Sequence, residues 1–169
     1  MLDRLIDVLL EIVGWFKFWY VLDPWDHAVR VRLGRHVQTL TKPGLYWMWP
    51  FNIDRIINIV VVLRTMTGTP QKLTTKDGVT VEVVPLVRYR IRGAAEVIID
   101  LDEEEVVLRD TLGGAVRDVV TGKTWAELYS DRSAEGEALR RLRDQLNQYG
   151  FKCERVTFVR LARTISVTL

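Results

Sequence analysis

The stretch Gly44-Leu45-Tyr46-Trp47-Met48-Trp49-Pro50-Phe51 follows a Lys42-Pro43 turn signal and carries no charge. Laid out as a strand, Leu45, Trp47, Trp49 and Phe51 point one way and Tyr46, Met48 and Pro50 the other, because side chains alternate across a pleated backbone. Neither face suits water. Each needs an apolar neighbour, which a protein core, a partner subunit or a lipid surface could supply.

On the N-terminal side, residues 27–40 (HAVRVRLGRHVQTL) set Val29, Val31 and Leu33 against Arg30, Arg32 and Gly34 and resume after Gly34-Arg35. That pattern predicts a pair of strands around a turn, with the arginines on a solvated face. On the C-terminal side, Ile57 to Leu63 is a β-branched run typical of a strand covered on both sides. Residues 71–91 place Lys76-Asp77-Gly78 between alternating segments, with Val79, Val81 and Val83 opposite Thr80 and Glu82, which predicts a hairpin.

Beyond residue 100 the period changes. Asp100-Leu101-Asp102-Glu103 reads as a capping box opening a helix that runs to Gly122, with Gly113-Gly114 either weakening it or allowing a close packing contact. Thr124-Trp125-Ala126-Glu127 is a second capping box, for a short helix ending near Tyr129. From Ser133 to Tyr149 a stripe of Leu139, Leu142, Leu146 and Tyr149 predicts a helix, with Arg140, Arg141 and Arg143 solvated and Gly150 as its left-handed stop. The final segment from Phe151 alternates again as a closing strand, with Cys153 as a small core residue. Strands followed by helices and a late strand describe an α+β domain with a mainly antiparallel sheet.

The N-terminus differs from this. Over Leu2 to Leu22 the charges of Asp3, Arg4, Asp7 and Glu11 share one helical stripe, while Leu5, Ile6, Leu9, Leu10, Ile12, Val13 and Phe16 fill the rest. Asp7, Glu11 and Lys17 are costly at a membrane centre, so an amphipathic helix lying in the interface fits better than a span. The cluster Trp15, Phe16, Phe18, Trp19 and Tyr20 has the composition of an aromatic belt at headgroup depth. The stretch lacks the basic start and cleavage site of a signal peptide. Asp23-Pro24-Trp25-Asp26 breaks the helical period, which places a membrane-associated helix at 1–22 and the α+β domain at 27–169.

The chain has 169 residues, a formal charge of +2 from 24 basic and 22 acidic side chains, 2 His and 1 Cys. Dispersed charge offers no basic face for nucleic acid. One cysteine excludes an internal disulfide and a thiolate zinc site, and His27 and His36 lack clustered partners, so neither a metal nor a catalytic role is assigned. No Gly-rich phosphate loop occurs, and the acids at 102–105 are explained by a helix start. The residues therefore point to a protein without catalytic groups and without a cofactor.

At this point the sequence resembles a known family. Residues 34–56 (GRHVQTLTKPGLYWMWPFNIDRI), Val61 to Arg64, Thr75-Lys76-Asp77-Gly78-Val79 and Val87 to Ile91 are similar, in order and spacing, to the SPFH or band 7 superfamily of stomatins, prohibitins and flotillins. Residues 108–132 and 142–162 match the later part of the same pattern. The resemblance implies the SPFH fold and a non-enzymatic scaffold at a membrane, and Arg30, Arg32 and Arg35 would favour the cytoplasmic side by the positive-inside tendency if the N-terminus spanned. It also implies homo-oligomers that organise lipid or membrane partners such as a protease or a channel. Trp47, Trp49 and Phe51 would then dip into the membrane interface beside the N-terminal residues. The family's long C-terminal coiled-coil helix has no counterpart up to Leu169, so the expectation is either a minimal member of the family or a shortened form of a longer one. The alternative role is a soluble binding or inhibitory module acting on a membrane protein complex such as a protease.

Overall fold

A computed structural model describes residues 18–51, 53–130 and 133–164, with the side chain of Val37 left aside. The chain divides into two compact units, Met1–Val62 and Leu63–Leu169.

Among the described residues, the first unit is built of strands. β1 (Trp19–Leu22) pairs antiparallel with β4 (Gly44–Trp47), setting Trp19 opposite Trp47 and Val21 opposite Leu45. This corrects the helix expected up to Leu22. Trp-Tyr-Val-Leu is as good a strand sequence as a helical one, and the partner that decides between them lies beyond residue 43. The rest of the expected helix, with Leu5, Ile6, Leu9, Leu10, Ile12, Val13, Trp15 and Phe16, falls outside the described residues. β2 (Asp26–Arg32) is flanked by β3 (Arg35–Leu40) and β5 (Asp54–Val60), both antiparallel to it. Leu33 and Gly34 make the β2–β3 turn with φ of 49° and 79°, the left-handed geometry a tight hairpin demands. The run from Ile57 is not covered on both sides as expected: the strand starts earlier, at Asp54, and Val62 and Leu63 beyond it are exposed.

The second unit is a four-stranded antiparallel sheet with helices. Its long central strand β8 (Thr80–Ile91) carries β6 (Arg64–Thr67) and β7 (Gln71–Thr74) on one edge and β9 (Phe151–Arg163) on the other. Pro85 has no amide to give the ladder, and the β8–β9 register shifts there. Its carbonyl instead accepts the Gly68 amide at 2.7 Å, between the ends of β6 and β7. The expected hairpin of β7 and β8 is present, with Val81 and Val83 fully buried.

Helix α1 (Ala94–Asp100), which the sequence reading missed, takes up Asp100 as its last residue. The capping box expected at 100–103 therefore does not form. Helix α2 (Glu104–Gly122) starts from Glu103 at φ 56° with no side-chain cap. The close-packing reading of Gly113 holds, since a Cβ there would meet Gln71 Nε2 at 2.5 Å. Helix α3 (Trp125–Ser130) has the predicted capping box: the Thr124 amide and hydroxyl donate to Glu127 Oε2 at 2.8 and 3.0 Å, and the Glu127 amide donates back to Thr124 Oγ1 at 3.4 Å. Asp77, in the β7–β8 turn, also accepts the Trp125 amide at 3.2 Å. Helix α4 (Ser133–Leu146) buries Ala134, Ala138, Leu142 and Leu146, and of the leucine stripe expected Leu139 and Tyr149 are half-buried. A 3-10 turn at Asn147–Tyr149 then ends on Gly150 at φ 78°, the predicted left-handed stop.

Candidate functional site: an exposed aromatic face

The β1–β4 ribbon has unlike faces. Leu22 is buried and packs with Ala28 and Leu40, and Tyr20, Tyr46 and Ile56 close around that small core. On the other face Trp19 is 56% exposed, Val21 61%, Leu45 71% and Trp47 68%. The pleat makes this inevitable once one face is buried: positions 19, 21, 45 and 47 cannot reach the core that 20, 22 and 46 occupy.

Phe18 adds to the exposed face by stacking on Trp47, with ring centroids 5.6 Å apart and planes 21° from parallel. Its carbonyl accepts the Met48 amide at 2.7 Å, which extends the ribbon one step past β4. Trp49 and Phe51 follow, 56% and 62% exposed, so the alternation read from the sequence extends past the four-residue strand into the turn. Phe51 has φ of 59°. A bulky residue rarely takes that conformation, and its cost falls on the loop that displays the ring.

Asp54 holds this loop in place. Its side chain is fully buried and takes Arg32 Nε at 2.7 Å, Arg32 Nη2 at 3.1 Å and the Trp49 amide at 3.0 Å. The Arg32 guanidinium holds the carboxyl below its ordinary range against the opposing effect of burial, and the Trp49 amide adds to the lowering. Arg30 donates to Gln38 Oε1 at 3.2 Å and to the Trp47 carbonyl at 3.4 Å. Arg30 and Arg32 are therefore tied into the unit, which corrects their reading as a freely solvated face.

Of the residues expected to meet a membrane, the structure brings Phe18, Trp19, Trp47, Trp49 and Phe51 into one succession along the ribbon and its loop. Tyr20 it turns away: half-buried against the Leu22 core, its hydroxyl pKa is raised by that burial and by Asp26 and Asp23. Val21 and Leu45 were not among the residues expected to meet a membrane, although Leu45 was read onto the face of Trp47. Their cross-strand pairing could have been found only by knowing that β1 and β4 are partners. Among the described residues, no helix is long and apolar enough to cross a membrane, and no group of His, Cys, Asp and Glu side chains is placed to hold a metal ion.

Comparison with known proteins gives one consistent answer. Residues 20–164 match the model of the SPFH domain / Band 7 family. A Band 7 protein of Drosophila melanogaster is 30% identical over 143 residues, covering 83% of this chain and 28% of its own length. Stomatin of Mus musculus is 27% identical over 138 residues, covering 80% of this chain and 48% of its own. Mechanosensory protein 2 of Caenorhabditis elegans is 29% identical over 138 residues, 80% of this chain and 28% of its own. The chain thus spans half or less of the length of these relatives, and its likeness to them lies in the domain described above. On the family match across nearly all of its strands and helices, the chain belongs to the SPFH domain / Band 7 family.

Proposed function

We propose that this protein is a membrane-associated, non-enzymatic scaffold that meets lipid through the outward face of the β1–β4 ribbon. The observation that carries this reading is the cross-strand pair Trp19–Trp47, two indoles more than half exposed and backed by a ribbon whose reverse face is packed. Indole rings combine a large apolar body with one N–H donor and are favoured at headgroup depth, where one end is apolar and the other wet. Val21, Leu45, Trp49 and Phe51 widen the patch. Contiguous exposed apolar surface of this kind marks an interaction site. The apolar residues Leu5 to Phe16 would join the same contact. Family membership supports self-association; a membrane protein partner such as a protease or channel, and a position on the cytoplasmic side, are parts of the same proposal.

Flotation on vesicles tests the reading. The full chain floats; Trp19→Ser with Trp47→Ser floats less, and a chain lacking residues 1–17, which keeps β1, shows how much the preceding residues add. If the full chain stays at the bottom of the gradient as a small particle, the membrane reading fails and the aromatic face becomes a protein-docking surface.

A further inference from the structure

The second unit carries a surface that this role does not use. On β8 and β9 the side chains of Val87, Tyr89, Ile91, Phe151, Cys153 and Val156 are all buried. The residues alternating with them therefore face the other side of the sheet. The register sets Arg88 directly opposite Arg155 and Arg90 directly opposite Lys152. These are successive rows of one face, ~7 Å apart, and every member is basic.

Like charges directly opposite on antiparallel strands are destabilising. Elsewhere this sheet offsets its cations: Arg160 lies 3.7 Å from Glu82. In the basic rows the one carboxylate is Glu154, the residue added at the β9 register shift, whose Oε1 lies 2.8 Å from Arg90 Nε in an ion pair too poorly aligned to be a hydrogen bond. Arg88 and Arg155 are exposed and have no ion-pair partner among the described residues. Half-buried Leu86 and Thr157 form the next row of the same face. The pair thus stands on a sheet surface with apolar and hydroxyl groups beside it, which suits a broad anionic layer.

We propose that this face binds the phosphate layer of an anionic lipid surface, with the guanidinium groups of Arg88 and Arg155 shared between headgroup phosphates. Guanidinium suits this because its planar fork matches phosphate oxygens and is less strongly hydrated than ammonium. The inference rests on the membrane-association reading and adds to it a lipid class and a second contact.

The test is binding of the full chain to vesicles of phosphatidylcholine alone and to the same vesicles doped with phosphatidylglycerol. The native chain prefers the anionic vesicles, and salt weakens that preference. Arg88→Gln with Arg155→Gln lowers affinity for the anionic vesicles by about tenfold or more and leaves phosphatidylcholine binding unchanged. Arg88→Lys with Arg155→Lys retains most of the preference. The glutamine pair is at least as resistant to denaturant as the native chain, since it removes a repulsion, so a loss of binding cannot be put down to unfolding.

Native-like binding of the glutamine pair to anionic vesicles, while Trp19→Ser with Trp47→Ser loses binding to both kinds, overturns this inference and leaves the membrane reading standing. If the native chain ignores both vesicle types, the two fall together. A glutamine pair that keeps its lipid preference but loses self-association would overturn it in favour of an interface with a second copy of this chain.

Discussion

Arg32 and Asp54 face each other across the β2–β5 ladder and are joined by Nε to Oδ1 at 2.7 Å and Nη2 to Oδ2 at 3.1 Å, with the arginine side chain 36% exposed and the aspartate fully buried. The same carboxylate receives the Trp49 amide, so one buried charge ties the sheet of the first unit to the loop that displays Trp49 and Phe51. Replacing Asp54 by Asn is expected to cost about 1–3 kcal/mol, the range for leaving a buried hydrogen-bonding group partly unsatisfied. The pH dependence has a fixed sign. The folded carboxyl titrates below the unfolded value of about 3.9, so its contribution is present above that pH and is lost as pH falls through the folded value. Urea midpoints of native and Asp54→Asn proteins should differ at pH 7 and converge in acid; a constant difference from pH 7 to the acid limit would count against this account.

The two faces of the β1–β4 ribbon should respond to mutation in opposite ways. Leu22 is buried, so Leu22→Ala is expected to destabilise by about 2–5 kcal/mol. Trp19→Ser removes a ring that is already 56% exposed, so its loss is limited to a cross-strand pair of about 0.2–1 kcal/mol. Vesicle binding should rank the two the other way round at temperatures where both are folded. Equal stability losses would mean that the outward face is covered in solution.

Gly150 sits at φ 78° against Gly93, and a Cβ on it would lie 2.5 Å from the Gly93 carbonyl oxygen. The Gly150 carbonyl accepts the amides of Arg92 at 2.9 Å and Gly93 at 3.1 Å, so the backbone there cannot swing aside without breaking both bonds. Gly150→Ala is expected to cost about 2–4 kcal/mol, combining left-handed strain with a backbone clash. Gly34→Ala, strained at φ 79° but with open space around its Cβ, should cost clearly less. Equal melting shifts for the two variants would show that strain alone, and not the contact with Gly93, matters at position 150.

Cys153 is fully buried on β9, and burial pushes its thiol up to about 11, partly opposed by Arg143. Roughly one molecule in a thousand carries the thiolate at pH 8, and that thiolate is out of reach of reagent. An aromatic disulfide reagent should therefore label the native chain only as fast as it unfolds, and label it at once in denaturant. The unfolded thiol ionises near its ordinary pKa of about 8.5, so this group's contribution is full below that pH and is lost as pH rises toward the folded value. Rapid labelling of the native chain at pH 8 would place Cys153 at the surface.

Much of the local structure was legible in the sequence. The alternation from Leu45 to Phe51 assigned side chains to two faces, which the structure leaves exposed and half-buried, because the pleat period is a property of the backbone. The Thr124–Glu127 capping box and the Gly150 stop were legible for the same reason: each is completed by residues within a few positions of one another. Where two local signals competed, the sequence misled. Asp100 scored as the start of a helix and is the end of another, since nothing in Asp-Leu-Asp-Glu says which side the chain has already folded.

By itself, then, the sequence determined the α+β class, the order of most elements, the family pattern and the aromatic character of the candidate face. Only the tertiary structure decided that Trp19–Leu22 is a strand, that Tyr20 turns inward while Trp19 turns out, and that Arg32 is bound to Asp54. The same is true of the basic rows, in which Arg88 and Arg155, far apart in the chain, stand side by side. The physical reason is range. Propensity, capping and alternation act within a few residues, whereas register and the choice of strand partner are set by burying one face of each sheet, a condition that residues distant in the chain satisfy together.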